Sequence, residues 1–504
     1  MNDERENVKG QAGGGTPEQD ANEVKKVRLA KLAELVASGR NPFEQVSFER
    51  TATAGAIRAD YAAFEGKTVK VAGRLMSKRV MGKASFGHLA DSDGEIQVYF
   101  SRDDLGVEEY AEFKKLDVGD IVGIEGTVFK TKTEEITVHA VKVTLLTKSL
   151  LPLPEKYHGL KDPETRYRRR YVDLIANPSV KDIFVKRSKV VSAIREFLDD
   201  RGFFEMETPV LGTLAGGANA RPFITHHNTL DVDMYLRIAT ELYLKRCIVG
   251  GFDKVYEVGR IFRNEGMDPK HNPEFTTVEV YQAYVDYVAM MELTEEMIRY
   301  CALKACGTLN ITYQGEAISF EGPWERLTMA EAVKKYTGLD FMNEDTATLL
   351  EKAKALGMEL PADTSWGNAL AKAFDIFVED KLTGPVFIMD YPVENSPLAK
   401  KKKDDPRLTE RFELFVAGRE LANAFSELND PEDQRERFAA QMLAKAKGDE
   451  EAQPYDEDFV MALEYGMPPT GGMGMGVDRL VMLLTDSYTI REVLLFPTMR
   501  PLEN

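Results

Sequence analysis

Apolar and polar positions alternate in short runs from residue 69 to about 147, in "VKVAGRLMSKRV", "SFGHLADSDGEIQVYF", "VGDIVGIEGTVFKTK" and "EEITVHAVKVTLL". A period of two predicts β-strands, and turns such as Ser92, Asp93 and Gly94 separate them. Four or five strands at this spacing predict a small barrel. Upstream, Lys25, Lys26, Arg28 and Lys31 interleave with Val27, Leu29, Leu32, Leu35 and Val36. That pattern predicts an amphipathic helix with a cationic, solvated face, stopped by Gly39, Asn41 and Pro42.

Beyond "LPLPEKYHG", whose prolines enforce extended backbone, the pattern changes. "VKRSKVVSAIREFLDDRGFFEMETPVL" reads as a long helix, a stop at Gly202 and a strand leading to Pro209. Later strands follow no βαβ rhythm, which predicts an antiparallel sheet flanked by helices, an α+β domain. The expected organisation is a disordered tail (1–20), an N-terminal helical segment (21–68), the barrel (69–150), a linker (151–165) and a large domain (166–504). A helical insertion is expected at about 340–382, where Ala, Leu and Lys dominate.

The chain has 504 residues, 43% of them hydrophobic, enough for more than one core. No run of about 18 apolar residues exists, so no membrane span is expected, and the expected location is the cytoplasm. Cys247, Cys301 and Cys306 lack CxxC spacing and read as reduced thiols. A formal net charge of -18 argues against nonspecific DNA binding. Against that background, "RIFRNEGMDPKHNPEF" (260–275) gathers Arg260, Arg263, Lys270 and His271 around one turn. This local charge suits a small polyanion.

Two nucleotide motifs fail. Tyr61 stands where a P-loop ending in "GKT" at 66–68 needs glycine. "GGMGMG" misses the GxGxxG spacing, and too few residues follow it for a βαβ unit. An antiparallel sheet offers another way to hold ATP. Arg263 would fork onto the α-phosphate, Phe275 would stack on adenine, and Arg479, after the glycines at a helix start, would reach a terminal phosphate. Glu413 and Glu420 are candidate oxygen ligands for Mg²⁺.

These stretches carry a resemblance along residues 24–500. "RGFFEMETPVL" is similar to motif 1 of class II synthetases, "RIFRNEG…HNPEF" to motif 2 and "GMGMGVDRL" to motif 3. "GGANARPF", "RYRRRYVDLI" and "RELANAFSELNDP" resemble bacterial class II lysyl-tRNA synthetases. The resemblance implies an OB-fold anticodon-binding barrel before a class II catalytic domain, and a homodimer with motif 1 at its interface. It also implies activation of L-lysine with ATP, up to three Mg²⁺ per subunit, and transfer to tRNA(Lys). By the same match, Glu265 would read the adenine amino group and His271 would approach the outer phosphates. Glu241 and the Gly217 backbone would hold the α-amine, and Arg263 would lie between the substrate carboxylate and the α-phosphate.

Strand periodicity bears on the amino acid independently. Residues two apart share a face, which groups Glu279 with Tyr281, and Asn423 with Phe425 and Glu427. Two carboxylates and a phenol suit an ammonium. An aspartyl- or asparaginyl-tRNA synthetase, the nearest alternative, should instead present cations. In the barrel, "GKASFGHLAD" and "FKTKTEEITVHA" resemble the family's anticodon-binding strands, which implies that Phe86 would stack on an anticodon base, with Arg79, Gln97 and Glu135 on base edges or backbone. Glu134 stands where related chains often carry Gly, and that turn is expected to differ without loss of binding.

Overall fold

In the computed structural model of the protein, residues 17–154, 160–361, 364–446 and 454–502 are described. The chain divides into two compact units, 1–159 and 160–504. Most of the stretch read as a tail, and five residues of the expected linker (155–159), lie outside the described residues.

The first unit opens with helix α1 (Pro17–Ala37), which begins inside the expected tail. Five strands follow: β1 (Thr68–Met81), β2 (Ala84–Ala90), β3 (Glu95–Ser101), β4 (Ile121–Lys130) and β5 (Ile136–Thr147). They close a barrel in the order β1-β2-β3-β5-β4, with β3 and β5 parallel. Alternation does the sorting, because Leu89, Val98, Ile124 and Val138 fill the interior while their neighbours face outward.

The cationic face of α1 is not wholly solvated, contrary to its pattern. Arg28 is buried and donates to the carbonyls of Ser149, Leu151 and Val118 at 2.9, 2.9 and 3.0 Å. Lys31 pairs with Asp117 at 2.7 Å. Meanwhile Val27, Leu29 and Val36 are exposed. The backbone carbonyls of Val118, before β4, and of Ser149 and Leu151, beyond β5, need donors more than the barrel needs another apolar contact, and one guanidinium serves all three.

The second unit is built on an eight-stranded sheet. Its helix α2 (Pro178–Asp199) buries Val190, Ile194 and Phe197, three residues on one helical face, and is followed shortly by Gly202 at φ +77°. The strands are β6 (Phe204–Glu205), β7 (Lys254–Phe262), β8 (Glu274–Ala283), β9 (Glu325–Thr328), β10 (Val386–Met389), β11 (Arg411–Val416), β12 (Arg419–Ser426) and β13 (Thr470–Gly476). Their order is β9-β10-β11-β12-β13-β8-β7-β6, antiparallel except at the two edge pairs. The last strand among the described residues therefore lies between β12 and β8. Helices Met329–Thr337, Thr346–Ala355 and Trp366–Phe377 surround a second core that includes Val333, Leu349, Leu370 and Phe374.

Strand β13 explains the glycine-rich run. Met473 and Met475 enter the main core beside Val278 and Val280 of β8. Gly472 and Gly474 face the other way, opposite Tyr281 and Glu279 on one side and Phe425 and Asn423 on the other. The alternation of Gly and Met is thus a strand with one packed face and one bare face. Chain reversal after Gly476 starts helix α3 (Val477–Leu484).

Candidate active site

The bare face of β13 floors a cavity of about 450 Å³, within the usual range for small-molecule sites. Bulk is excluded from its floor for a steric reason: a Cβ at Gly472 would collide with Glu427 Oε1 and the Tyr281 ring. Gly217, at φ +87°, brings its backbone onto the wall near Glu241, a conformation that disfavours side chains.

At one end, the β7–β8 hairpin carries the loop 263–273. Arg263 follows β7, lies 5.3 Å from the Phe275 ring centroid, and makes only long contacts of 3.4 and 3.5 Å to the Ile238 carbonyl. No carboxylate among the described residues is within ion-pair distance of it. Glu265 lines the cavity, and His271, paired with Asp268 at 2.8 Å, turns its Nε2 to within 3.5 Å of Arg479 Nη2. Arg479 donates to the Glu420 carbonyl at 2.6 Å and to its carboxylate at 3.2 Å. Asp478 anchors this corner, accepting from Thr276 N at 2.6 Å and pairing with Arg187 of α2.

Glu413 is the one predicted ATP or lysine residue outside the cavity lining. Tyr391 donates to its Oε2 at 2.9 Å and Arg411 pairs with Oε1 at 2.5 Å. Burial, then the Glu420 charge, push its carboxyl up to about 7. A buried carboxyl whose ionisation is opposed by a neighbouring carboxylate fits a divalent cation, whose charge reverses that cost. The described residues hold no cluster of three or more His, Cys, Asp or Glu suited to a metal. Further ligands would have to be oxygens from elsewhere.

The other end is acidic. Glu279 receives Thr240 N–H and the Tyr281 hydroxyl, each at 3.2 Å. Burial, reinforced by Glu241, pushes its carboxyl up to about 7. Glu427 is 1% exposed, and its Oε1 has no donor among the described residues. Its Oε2 meets Lys245, which also pairs with Glu241. Asn423 Oδ1 accepts from Arg411 Nε at 3.0 Å, so its NH₂ is left for the cavity. Phe425 lies 5.4 Å from Lys245 Nζ.

Sequence reasoning missed Lys245, Arg411 and Asp478. Lys245 had a signal: it follows Glu241 by four positions on the helix Glu241–Val249, among buried Leu242, Leu244 and Ile248. An ion pair on an apolar face is seldom solvated.

The first unit carries a separate surface. Phe86 faces Tyr99 at 5.1 Å, and Tyr99 meets His139 at 5.0 Å and Phe129 at 6.4 Å. Arg79 pairs in register with Phe86, and Gln97 accepts from Thr137 Oγ1 at 2.9 Å, leaving its NH₂ free to donate. Glu135 lies in the exposed β4–β5 turn, where Glu134 takes φ +62° and pairs with Lys130. A side chain in this left-handed conformation costs about 1–2 kcal/mol.

The comparisons agree along both units. Residues 162–500 match the family described as tRNA synthetases class II (D, K and N), and 69–146 match the OB-fold nucleic acid binding domain. A lysine–tRNA ligase of Thermoanaerobacter sp. (strain X514) is 58% identical over 484 residues, covering 96% of this chain and 97% of that relative. Lysine–tRNA ligases of Carboxydothermus hydrogenoformans and Clostridium novyi (strain NT) are 57% and 55% identical, covering 96% and 99% of this chain and 99% and 98% of theirs. An OB-fold barrel, a sheet floored by a glycine strand and these full-length likenesses agree, and the chain belongs to the class II tRNA synthetases of the D, K and N group.

Proposed function

We propose that the protein activates L-lysine with ATP to lysyl-adenylate and pyrophosphate, and then transfers the lysyl group to the 3′ end of tRNA(Lys). Glu427 carries the reading: a buried carboxylate with an undonated oxygen, beside Glu279 and Tyr281, suits an ammonium. An aspartate or asparagine pocket has no use for these acids.

The substrate carboxylate is already ionised, so the first step needs no general base. It attacks the α-phosphorus in line, and pyrophosphate leaves. Arg263 neutralises charge at the α-phosphate, Phe275 stacks on adenine and Glu265 accepts from its amino group. His271 and Arg479 face the outer phosphates. The Asn423 NH₂ joins Arg263 at the substrate carboxylate, Glu241 and the Gly217 carbonyl hold the α-amine, and Glu279, Tyr281 and Glu427 take the ε-ammonium, with Phe425 beside them. Glu413 and Glu420 would hold Mg²⁺, which when bound neutralises phosphate charge. Exchange of pyrophosphate into ATP, measured in parallel with lysine, aspartate and asparagine, is expected to depend on lysine alone. Activity with aspartate and none with lysine would refute the assignment.

The barrel reads the anticodon with Phe86, Arg79, Gln97 and Glu135. Phe86→Ala is expected to weaken tRNA aminoacylation about tenfold or more through KM for tRNA, since one base stack contributes about 1–3 kcal/mol. Amino acid-dependent exchange should stay at its original rate, and a parallel fall in both would disconnect Phe86 from tRNA. We assign the enzyme to the cytoplasm and to a homodimer. Phe204, Val210 and Leu211 of the motif 1 stretch are exposed apolar residues that a partner subunit would cover. Sedimentation at the mass of one 56.6 kDa chain would exclude the dimer.

A further inference from the structure

Lys245 is fully buried, yet it is not one of the groups that face the cavity. Its ammonium joins Glu241, one helical turn earlier, to Glu427 just after β12. Rings of Phe425 and Phe459 lie 5.4 and 5.7 Å from it and exclude water. Glu279 and Tyr281 approach from β8, and the nearest acids at the helix carrying Phe459, Asp456 and Asp458, are paired with Arg246.

A structural cation would be satisfied by one carboxylate, and a buried pair of that kind is replaceable by apolar side chains at little loss. Lys245 instead links two carboxylates that both line the substrate cavity, leaving Glu427 Oε1 undonated. Charge counting gives this a purpose. Glu241, Glu279 and Glu427 bring three negative charges when ionised, and Lys245 cancels one. Two remain for the two ammonium groups of lysine, while its carboxylate goes to Arg263.

We propose that Lys245 is a positioning residue for the amino acid: it fixes the α-amine carboxylate Glu241 against the ε-ammonium carboxylate Glu427 and sets the pocket's charge to that of its substrate. The inference rests on the lysine reading above. Burial opposes the charge on Lys245, but Glu241 and Glu427 outweigh it and hold its pKa above the ordinary value. Without that ammonium, three acids would share a dry cavity, and an additional one would keep its proton near neutral pH.

The test is exchange kinetics of the full-length protein and its Lys245→Met variant from pH 6.5 to 9. KM for lysine should rise about thirtyfold at pH 7, within the hundredfold that a misplacement of about 1 Å costs. KM for ATP should change less than twofold, and the lysine deficit should shrink toward pH 9 as the extra proton leaves. A lysine KM within threefold of the original, or equal rises for lysine and ATP with the pH profile unmoved, overturns the proposal. Lys245→Arg keeps the charge and is expected to raise KM for lysine alone without shifting the profile. If Lys245→Met does not fold, Lys245→Arg decides, and a shifted profile or joint loss of both affinities overturns the proposal. Absence of lysine-dependent exchange in the unaltered protein would instead refute the lysine reading itself.

Discussion

Replacing Arg263 with alanine is expected to lower lysine-dependent exchange at least about a thousandfold while leaving the fold intact. A single charge-stabilising donor is worth about 10²–10³ in rate, and an arginine on a transferring phosphoryl group about 10³–10⁵. The separation from stability follows from what Arg263 does not touch. Its guanidinium reaches only the Ile238 carbonyl at 3.4 and 3.5 Å and lies beside the Phe275 ring. Burial lowers its pKa, but an arginine remains charged even so. A cation held this loosely contributes little to folding and has its donors free for a ligand. Arg263→Lys is expected to recover little, because an ammonium cannot match phosphate oxygens as a fork. Steady-state exchange beside a thermal melt checks this. More than a tenth of the original rate would remove Arg263 from the centre of the chemistry.

Glu279→Gln is expected to separate activity from stability in the opposite sense. Its carboxyl is held at about 7 by burial and Glu241, against an ordinary value of 4.5. The folded protein therefore binds this proton more tightly than the unfolded chain. Stability from this group is fully present below about pH 4.5 and is lost as pH rises through about 7. Above that, ionised Glu279 costs the empty protein on the order of 3 kcal/mol. A neutral amide avoids the cost, so the variant should unfold at higher denaturant than the original at pH 8 and close to it at pH 4. Catalysis runs the other way, because an ammonium needs the ionised form. In the original protein, kcat/KM for lysine should fall below about pH 7. In Glu279→Gln it should drop about a hundredfold or more at pH 8, as charge-assisted bonds worth about 1.5–3 kcal/mol are lost. A variant less stable than the original at pH 8 would contradict the electrostatic account.

The parts legible in the sequence are those governed by local period. Alternation from 69 to 147 was sufficient for the barrel, because inside and outside of a closed sheet differ in solvent at every second residue. The same period placed Glu279 with Tyr281 on one face, which the cavity now lines. What period does not encode is the partner across space. Asp478 reads as one more helix-start acid, yet it holds Thr276 N and Arg187, both far away in sequence. Arg411 looks like a strand-end cation and instead shares its guanidinium between Glu413 and Asn423. Arg28 lies on what reads as a solvated face, but open carbonyls around Val118 and Ser149 draw it inward.

The position of β13 has a consequence for the protein's own synthesis. The strand follows every other strand of its sheet in the chain and lies between β12 and β8. While the ribosome is still making residues beyond 426, those two strands have no neighbour on their facing sides. The nascent sheet is two half-sheets with open edges, a state prone to association with other chains. Closure waits until Gly476 has left the exit tunnel, and the floor of the cavity arrives in the same event. A growing chain thus lacks both a closed sheet and the floor of its cavity until Thr470–Gly476 exist.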